Sequence, residues 1–378
     1  MGSNRAGRVF FLDARQVAVT EGNQFPMCCG SDLVPRTIRS WHRERVEPTF
    51  IGENEAMQRE QHPKLKQGNS SAQRKSETAA SPDQITTGQR QLETYEQHRA
   101  LLFSVAYRML GTRADAEDML QETFLRWQKA SNLEVRDPRA FLVTVITRLC
   151  INQLQSARMK REQYSGQWLP EPLLTEASAL SGIDGSLSLA FLMLLERLTP
   201  VERAVFLLRE VFDYGYAEVA EMLGQSEANC RQILRRAKQH VTEDRPRFDA
   251  SPQEQQKLLQ QFLEAASHGD MQGLLALLSK DAVLYTDGGG KATAVPNPVY
   301  GADRVARFFF GAREKLMPRD VVRRVVEING QPGIVVYHHG RVFGVLTMDI
   351  AEGHIRNIYI VRNPDKLQRL PSLPPAPC

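Results

Sequence analysis

The stretch from Leu198 to Val241 most constrains how this chain folds, because its apolar residues recur at helical spacing and its breaks are short. Thr199 to Glu202 form a predicted capping box with proline at the first helical position. Gly224 ends a later predicted helix, and Ser226 caps the final helix after one intervening residue. So short a turn between helices is typical of a helix-turn-helix.

The final helix of this stretch has two chemically different sides. The apolar residues predicted to pack inward are Cys230, Ile233, Leu234, Ala237 and Val241. The opposite side carries arginine, lysine, asparagine and glutamine. Arginine and lysine side chains can hydrogen-bond to guanine edges and to phosphates, whereas the amides of asparagine and glutamine can hydrogen-bond to adenine edges. Because residues near the start of a recognition helix reach the bases, the predicted base readers are Glu227, Asn229, Arg231 and Gln232. The predicted phosphate contacts are Arg235, Arg236 and Lys238. A plain amphipathic surface helix is the alternative, and the short turn favours DNA binding.

Composition limits the other classes of function. The 378 residues suffice for two or three domains with separate cores. A net charge of +4 means that nucleic-acid binding must follow from where the basic residues lie. The five cysteines form no CxxC pair or zinc-type cluster, so we predict no metal, no cofactor and no disulfide framework. No apolar run approaches the roughly 20 residues of a membrane span, which predicts a soluble, cytoplasmic protein.

Residues 1–91 lack sustained periodicity. From Pro48 to Arg90 the composition is dominated by Gln, Glu, Ser, Lys and Thr, with few aromatic residues. Such a segment buries too little apolar surface to offset its ordering entropy. We therefore predict a disordered extension, or an addition upstream of a chain that starts at Met57. Ordered structure is predicted to begin near Leu92.

Residues 92–165 are predicted to form a bundle of three helices. Gly111 ends the first helix and Thr112 caps the second, whose apolar stripe runs from Ala116 to Trp127. The rest of the second helix is acidic and includes one apolar residue; this face comprises Asp115, Glu117, Asp118, Gln121, Glu122 and Leu125. Taken alone, the pattern is more typical of a solvated face than of a protein-docking surface.

The third helix begins at Pro138 and becomes basic toward its end. The residues predicted to contact DNA there are Arg148, Asn152, Arg158, Lys160 and Arg161. Cations are favoured near a helix C-terminus in any protein, because of the helix dipole. Their clustering also suits phosphate contacts, which supply most non-specific DNA affinity.

The remaining chain divides into three predicted parts. Residues 166–186 form a linker, in which the prolines of Trp168–Pro172 exclude a helix. Residues 187–247 hold the helix-turn-helix. In residues 248–378, two helices precede a strand, another helix and a run of strands, which predicts an α+β domain with a curved sheet around a helix. The glycine run in Asp287–Lys291 suits either a close backbone approach to a ligand or a flexible turn.

From about residue 92 onward, the chain resembles bacterial extracytoplasmic-function (ECF) sigma factors of the subgroup with a C-terminal SnoaL-like domain. The segments that resemble the core-binding helix of region 2, the helix bearing its −10 surface, and region 4 are Asp115–Trp127, Asp137–Leu154 and Leu198–Val241. The motifs that are together hallmarks of the subgroup are Trp168–Pro172, Asp287–Lys291 and Asn363–Leu367.

The resemblance implies a multidomain protein. Two all-α sigma domains, a region 2 helical bundle and a region 4 helix-turn-helix, would precede an α+β, cone-shaped domain of the NTF2-like (SnoaL-like) fold. The acidic face would dock on the clamp of the largest RNA polymerase subunit, and region 4 would meet the flap. The loop Ser131–Asp137 would hold extruded −10 bases, and region 4 would read the −35 element of the promoter.

The resemblance also implies that the C-terminal domain regulates the sigma domains in cis and that the protein has no catalytic residues. The candidate regulatory contacts are Trp168, Pro170, Glu171, Pro172, Asp287, Gly288, Gly289, Gly290 and Lys291. Whether the domain also binds an unidentified small ligand stays open at the level of sequence.

Two alternatives remain at this level. A helix-turn-helix regulator acting without polymerase would leave the acidic helix, the basic third helix and the Trp168–Pro172 motif without a purpose. A SnoaL-like enzyme would need an acid–base pair in its cone. The side chains available for one are Tyr285, Asp287, His338, His339 and Asp349.

Overall fold

The computed structural model describes residues 82–130, 135–162, 164–175, 187–242 and 250–373. Most of the predicted extension 1–91 therefore lies outside the described residues. None of the described helices is long and apolar enough to cross a membrane.

The first helical domain consists of α1 (Pro82–Leu110), α2 (Arg113–Lys129) and α3 (Pro138–Glu162). The predicted start of order near Leu92 is wrong, because α1 begins at Pro82. One contact that holds the added turns in place is the indole N–H of Trp127, which donates to the Gln91 carbonyl at 2.9 Å. The predicted cap is confirmed, since the Thr112 hydroxyl accepts from the Asp115 backbone N–H.

The second helical domain contains α4 (Leu189–Leu195), α5 (Pro200–Phe206), α6 (Tyr216–Leu223) and α7 (Glu227–Thr242). A π-helical turn, Leu207–Val211, extends α5. The predicted capping box is confirmed: Thr199 and Glu202 exchange hydrogen bonds between side chains and backbone. Gly224 ends α6 in the left-handed conformation, and the Ser226 hydroxyl accepts from the Asn229 N–H at 3.2 Å. The tight turn of a helix-turn-helix is therefore present.

The chain between these helical domains is extended where it is described. Residues 164–175 run against both the first helical domain and the C-terminal domain, and we call this segment the strap. Leu174 forms an antiparallel bridge with Ile328 at the edge of the C-terminal sheet. The prediction that Trp168–Pro172 is not helical is confirmed, although the motif is largely buried. Residues 176–186 of the predicted linker lie outside the described residues.

The C-terminal domain combines helices with one six-stranded sheet of order β2-β1-β6-β5-β4-β3. Its helices are α8 (Pro252–His268), α9 (Met271–Leu277), α10 (Ala302–Lys315) and α11 (Pro364–Leu367). Its strands are β1 (Leu278–Asp287), β2 (Val299–Tyr300), β3 (Val321–Ile328), β4 (Gln331–His338), β5 (Arg341–Ala351) and β6 (His354–Val361). Strands β1 and β6 are parallel, and the other neighbouring pairs are antiparallel. The α+β class is as predicted, whereas the short β2 was missed.

Alternation along the strands gives the sheet two buried faces. On β5, Leu346 and Met348 pack in the core shared with α8, α9 and α10. Their neighbour Val345 points to the other face, where it joins a cluster that includes Leu169 of the strap and Leu189 of α4. One face of the sheet therefore belongs to the core of its own domain, and the other packs against the strap and the second helical domain.

Candidate nucleic-acid surface and interdomain site

The recognition helix α7 has the two sides that the sequence predicts. Its five predicted inward residues are all buried. The predicted DNA-facing residues are exposed, apart from the half-buried Asn229. This sidedness follows from the helical spacing of the apolar residues.

Several of the exposed charges on α7 are paired. Arg231 forms an ion pair with Glu227 at 2.8 Å, and its guanidinium lies 4.8 Å from the centre of the Tyr216 ring. Lys238 pairs with Glu210 at 2.8 Å. Because these pairs are about half exposed, they are weak, and a phosphate can replace the carboxylate partner.

The acidic face of α2 is partly solvent-facing. Leu125 is 50% exposed, which is high for a leucine in a helical bundle. Asp118 and Gln121 are also exposed, and Glu122 pairs with Arg126 at 2.9 Å. Asp115 instead serves the helix start, where it accepts a hydrogen bond from the Thr112 hydroxyl.

Glu117 of this face is held from two directions. Its carboxylate pairs with Arg113 at 2.8 Å and with Arg369, which follows α11 in the C-terminal domain. Burial alone would raise the pKa of Glu117, but hydrogen bonds and charge from the two arginines lower it below its usual value. One residue of the predicted polymerase-docking face is therefore engaged by the C-terminal domain.

The basic end of α3 is divided by the structure. Arg148 does not stand free as a DNA contact: its guanidinium donates to the carbonyls of Met222 at 2.7 Å and Glu221 at 3.4 Å, at the end of α6. Asn152 is exposed, as predicted. The side chains of Arg158, Lys160 and Arg161 lie outside the described residues, and so does most of the predicted base-holding loop, residues 131–134.

Further arginines join the two helical domains. Arg203 of α5 donates to the Met109 carbonyl of α1 at 2.6 Å and pairs with Glu196 at 2.9 Å. Arg108 is buried, and its guanidinium lies 5.5 Å from the centre of the Phe212 ring. Burial lowers the pKa of Arg108 to about 10, which leaves it charged at neutral pH. The two helical domains therefore pack through one continuous core with charged side chains at its seams.

Asp287, at the end of β1, is the centre of the contact between the strap and the C-terminal domain. Its carboxylate is fully buried and accepts hydrogen bonds from Tyr164 at 2.6 Å, from the Leu169 N–H at 2.9 Å and from Lys366 at 2.7 Å. A fourth bond comes from the Gly289 N–H at 3.0 Å. Hydrogen bonds from four donors, one of them charged, make this carboxylate stable although no water reaches it.

Lys366, on α11, completes this site. Only 8% of its side chain is exposed, and its ammonium also donates to the Leu169 carbonyl and lies 4.3 Å from the centre of the Trp168 ring. Burial and the hydrogen bond to Asp287 raise the pKa of the Tyr164 hydroxyl. Asn363 donates to the same hydroxyl at 2.7 Å. We call Tyr164, Leu169, Asp287, Asn363 and Lys366 the interdomain cluster.

The strap is fixed to the first helical domain at Glu171. Its backbone N–H donates to the Gly111 carbonyl at 2.8 Å, and its carboxylate accepts from the Arg113 N–H at 2.8 Å. A Cβ on Gly111 would lie 2.6 Å from the Trp168 ring, so only glycine fits at this position. Burial raises the pKa of the Glu171 carboxyl.

Asn329, in the β3–β4 turn, extends this contact. Its side chain accepts from the Leu173 N–H at 2.9 Å and donates to the Tyr107 hydroxyl at 2.8 Å. The Tyr107 hydroxyl in turn donates to the Glu171 carbonyl at 2.5 Å. The strap thus bonds to the first helical domain and to the C-terminal domain through side chains of both.

The other predicted regulatory residues have supporting positions. Pro170 and Pro172 are buried in the strap. Gly289 has a φ of 59° and its backbone lies against the Asn363 amide. The Gly288 carbonyl accepts from Lys291 and Ala292 in the turn, and Gly290 faces Ser165 of the strap. Lys291 pairs with Asp365 at 2.6 Å on the surface.

Sequence reasoning assigned no role to several side chains of this site. They are Tyr107, Tyr164, Asn329, Asn363, Lys366 and Arg369. The Asn363–Leu367 motif gave the one available signal, because it contains two of them.

The five candidates for acid–base chemistry do not converge on the cavity of the C-terminal domain. That cavity, of about 200 Å³, lies between the sheet and helices α8 and α10, and none of the five lines it. Alternation along the strands places Tyr285 and Asp287 on the opposite face of β1 from Thr286, which does line it. Asp349 is buried against Asn357 at 3.0 Å. His338 and His339 lie near the surface beside the exposed Asp320.

Comparison with known proteins identifies the helical domains. Residues 94–159 match sigma-70 region 2, and residues 188–241 match sigma-70 region 4. The ECF RNA polymerase sigma factor SigJ of Mycobacterium tuberculosis is 34% identical over 295 residues, which cover 74% of this chain and 94% of SigJ. The chain belongs to the ECF RNA polymerase sigma factors.

Other similar proteins agree with this assignment. A probable ECF RNA polymerase sigma factor of M. tuberculosis, SigI, is 32% identical and covers 72% of this chain and 93% of its own length. The crystal structure of M. tuberculosis SigJ superposes with a TM-score of 0.61 at 32% identity, over 73% of this chain and 98% of SigJ. This ECF sigma factor binds core RNA polymerase and promoter DNA and directs transcription initiation.

Proposed function

We propose that the sigma factor docks on the clamp of the largest polymerase subunit through the acidic face of α2, while region 4 meets the flap. The exposed Leu125 among Asp118, Gln121 and Glu122 supports this, because an apolar residue ringed by charges suits the centre of a protein contact. Leu125→Arg should abolish copurification with core polymerase. Val322→Arg, at an apolar side chain of β3 that is 45% exposed, is the control outside this face and should leave copurification intact. Equal retention of core by both variants would rule out this docking face.

For promoter recognition, we assign the −10 element to α3 with the loop before it, and the −35 element to α7. The exposed basic and amide side chains of α7 are the base and phosphate contacts, with Arg235, Arg236 and Lys238 on the phosphates. Residues 92–165 and 187–247 are then the two promoter-binding domains, and the protein acts in the cytoplasm with the polymerase.

The arrangement of the two helical domains bears on this assignment. The −10 and −35 elements lie about 25 base pairs apart, or about 85 Å along B-form DNA. Arg148 of α3, by contrast, is within hydrogen-bond distance of α6, which packs directly on α7. Since both promoter-binding surfaces belong to one packed unit, the domains must separate before both elements are engaged.

We infer that the C-terminal domain, residues 248–378, keeps the sigma factor in this packed state. The observation that carries the inference is the interdomain cluster, in which a buried aspartate and lysine of the C-terminal domain hold the strap between the promoter-binding domains. The ion pair of Arg369 with Glu117 adds direct competition for the polymerase-docking face. Fusion in one chain gives an effective concentration on the order of millimolar, so weak contacts suffice.

Run-off transcription with core polymerase on genomic fragments tests this regulation. Full-length protein, Asp287→Ala and a truncation after Arg247 are compared. Lys291→Ala is the control: Lys291 was predicted to be a regulatory contact, but it pairs with the exposed Asp365 on the surface. We expect Asp287→Ala to yield more transcript than full-length protein and Lys291→Ala to yield the same amount. Identical yields from full-length protein, Asp287→Ala and the truncation would refute regulation in cis.

A further inference from the structure

The cavity of the C-terminal domain has an apolar interior. Side chains of α8, α10 and the inner face of the sheet line it, among them Phe262, Phe309, Ile334 and Leu346. Phe262 and Phe309 meet edge to face at 4.9 Å, which fixes one wall. At about 200 Å³ the cavity is far larger than a single water needs, and its walls offer water few hydrogen-bond partners.

The charged groups that line the cavity all have one sign. They are Arg313, Arg323 and Arg362, and no carboxylate of the described residues lines it with them. Arg313 and Arg323 are exposed and sit toward solvent, whereas Arg362 is half-buried. An apolar cavity bordered by cations alone attracts an anion with an apolar body.

Arg362, directly after β6, is the half-buried arginine of the cavity wall. Its guanidinium lies 4.1 Å from the centre of the Phe343 ring, which also lines the cavity. One of its nitrogens donates to the Thr293 carbonyl at 3.2 Å, but its Nε is buried and has no hydrogen-bond partner within the described part of the chain. Burial lowers the pKa of Arg362, and no described carboxylate pairs with it to offset that cost. A carboxylate bound in the cavity that Arg362 lines would supply this guanidinium with a counter-ion.

We propose that this cavity binds an amphiphilic carboxylate of medium chain length, with the carboxylate on Arg362 and the chain among the phenylalanines. The ring of Phe343, which also lines the cavity, packs against the guanidinium and limits the movement of Arg362. Burial of the chain between Phe262 and Phe309 supplies the apolar part of the affinity. Arg313 and Arg323, at the exposed side, raise the local concentration of the anion.

Calorimetric titration of the full-length protein with octanoate tests the site in the absence of polymerase and DNA. We expect octanoate to bind, and 1-octanol and octylamine, which have the same chain length without the negative charge, to bind at least tenfold more weakly. No measurable binding of octanoate, or equal binding of octanoate and 1-octanol, would overturn the proposal.

The octanoate affinities of three variants test whether the ligand binds in this cavity, and they distinguish loss of the Arg362 contact from misfolding of the domain. Arg362→Met keeps a long apolar stem and should weaken octanoate at least tenfold. Arg356→Met, on β6 but outside the cavity, should bind as the unaltered protein does. Ala266→Trp fills the cavity while leaving Arg362 in place, and should also abolish binding. Octanoate affinity that is unchanged in both Arg362→Met and Ala266→Trp would refute this location. Because the readout is binding alone, its failure would leave the proposed regulation in cis untouched.

Discussion

Removal of the Asp287 carboxylate should loosen the strap far more than removal of any exposed charge nearby. Asp287→Ala deletes four hydrogen bonds and leaves Lys366, with 8% of its side chain exposed, without its buried counter-ion. Breaking a buried ion pair from one side costs about 3–5 kcal/mol. Since 1.4 kcal/mol is about a factor of ten, the population with an open strap should rise roughly 100-fold or more.

Hydrogen exchange at the Glu171 amide measures this opening. That N–H donates to the Gly111 carbonyl and does not touch Asp287, so its exchange reports release of the strap rather than loss of its own acceptor. The control, Lys291→Ala, removes an ion pair whose side chains are 58% and 51% exposed. Such a pair contributes about 0–1 kcal/mol, and the exchange rate should change less than about fivefold.

A double-mutant cycle with Lys366→Met completes the test. If the two charges form one unit, the double variant should lose less than the sum of the single losses, with a coupling energy of about 2–3 kcal/mol. Additive losses, or equal exchange in Asp287→Ala and Lys291→Ala, would show that the buried pair does not hold the strap.

Three further predictions concern other parts of the molecule. Arg235→Ala should weaken promoter binding to a similar extent on all sequences and reduce the slope of log affinity against log salt by about one, as measured by fluorescence anisotropy; a sequence-dependent loss would point to base contact instead. The folded-state pKa of Glu117 lies below its usual value of 4.5. Its ion pairs therefore stabilise the protein fully above pH 4.5, and this contribution is lost as the pH falls through the lowered pKa of the folded state. Arg369→Met should therefore lower the free energy of unfolding at neutral pH, and the difference from the unaltered protein should vanish in acid; a difference that grows in acid would contradict this sign. Burial raises the pKa of the Cys150 thiol, so this cysteine should resist alkylation in the native state, as peptide mass spectrometry would reveal, and should react on unfolding.

Local chemistry made the helix ends predictable from sequence. The caps at Thr112, Thr199 and Ser226 each depend on residues within three positions, and all three are present. The run of strands in the C-terminal domain was predictable because its segments are rich in β-branched residues, such as those of β3 and β6. The short β2 escaped prediction since two residues carry no period.

Side chains that act at long range were not predictable in the same way. In the sequence, Lys366 cannot be distinguished from an ordinary surface lysine, because its partner Asp287 lies 79 positions earlier in the chain. Arg148 was expected on DNA, yet it bonds to carbonyls of α6. A cation at the end of a basic helix looks the same in sequence whether an external phosphate or an internal helix terminus receives it.

The position of the buried Asp287–Lys366 pair near the end of the chain has a consequence for how the protein is made. The ribosome releases both promoter-binding domains before Lys366 is synthesised, and at usual elongation rates the delay is on the order of ten seconds. During that interval the strap has no Lys366 to bond to the Leu169 carbonyl and to Asp287, so the proposed restraint on the promoter-binding domains forms only after those domains have left the ribosome.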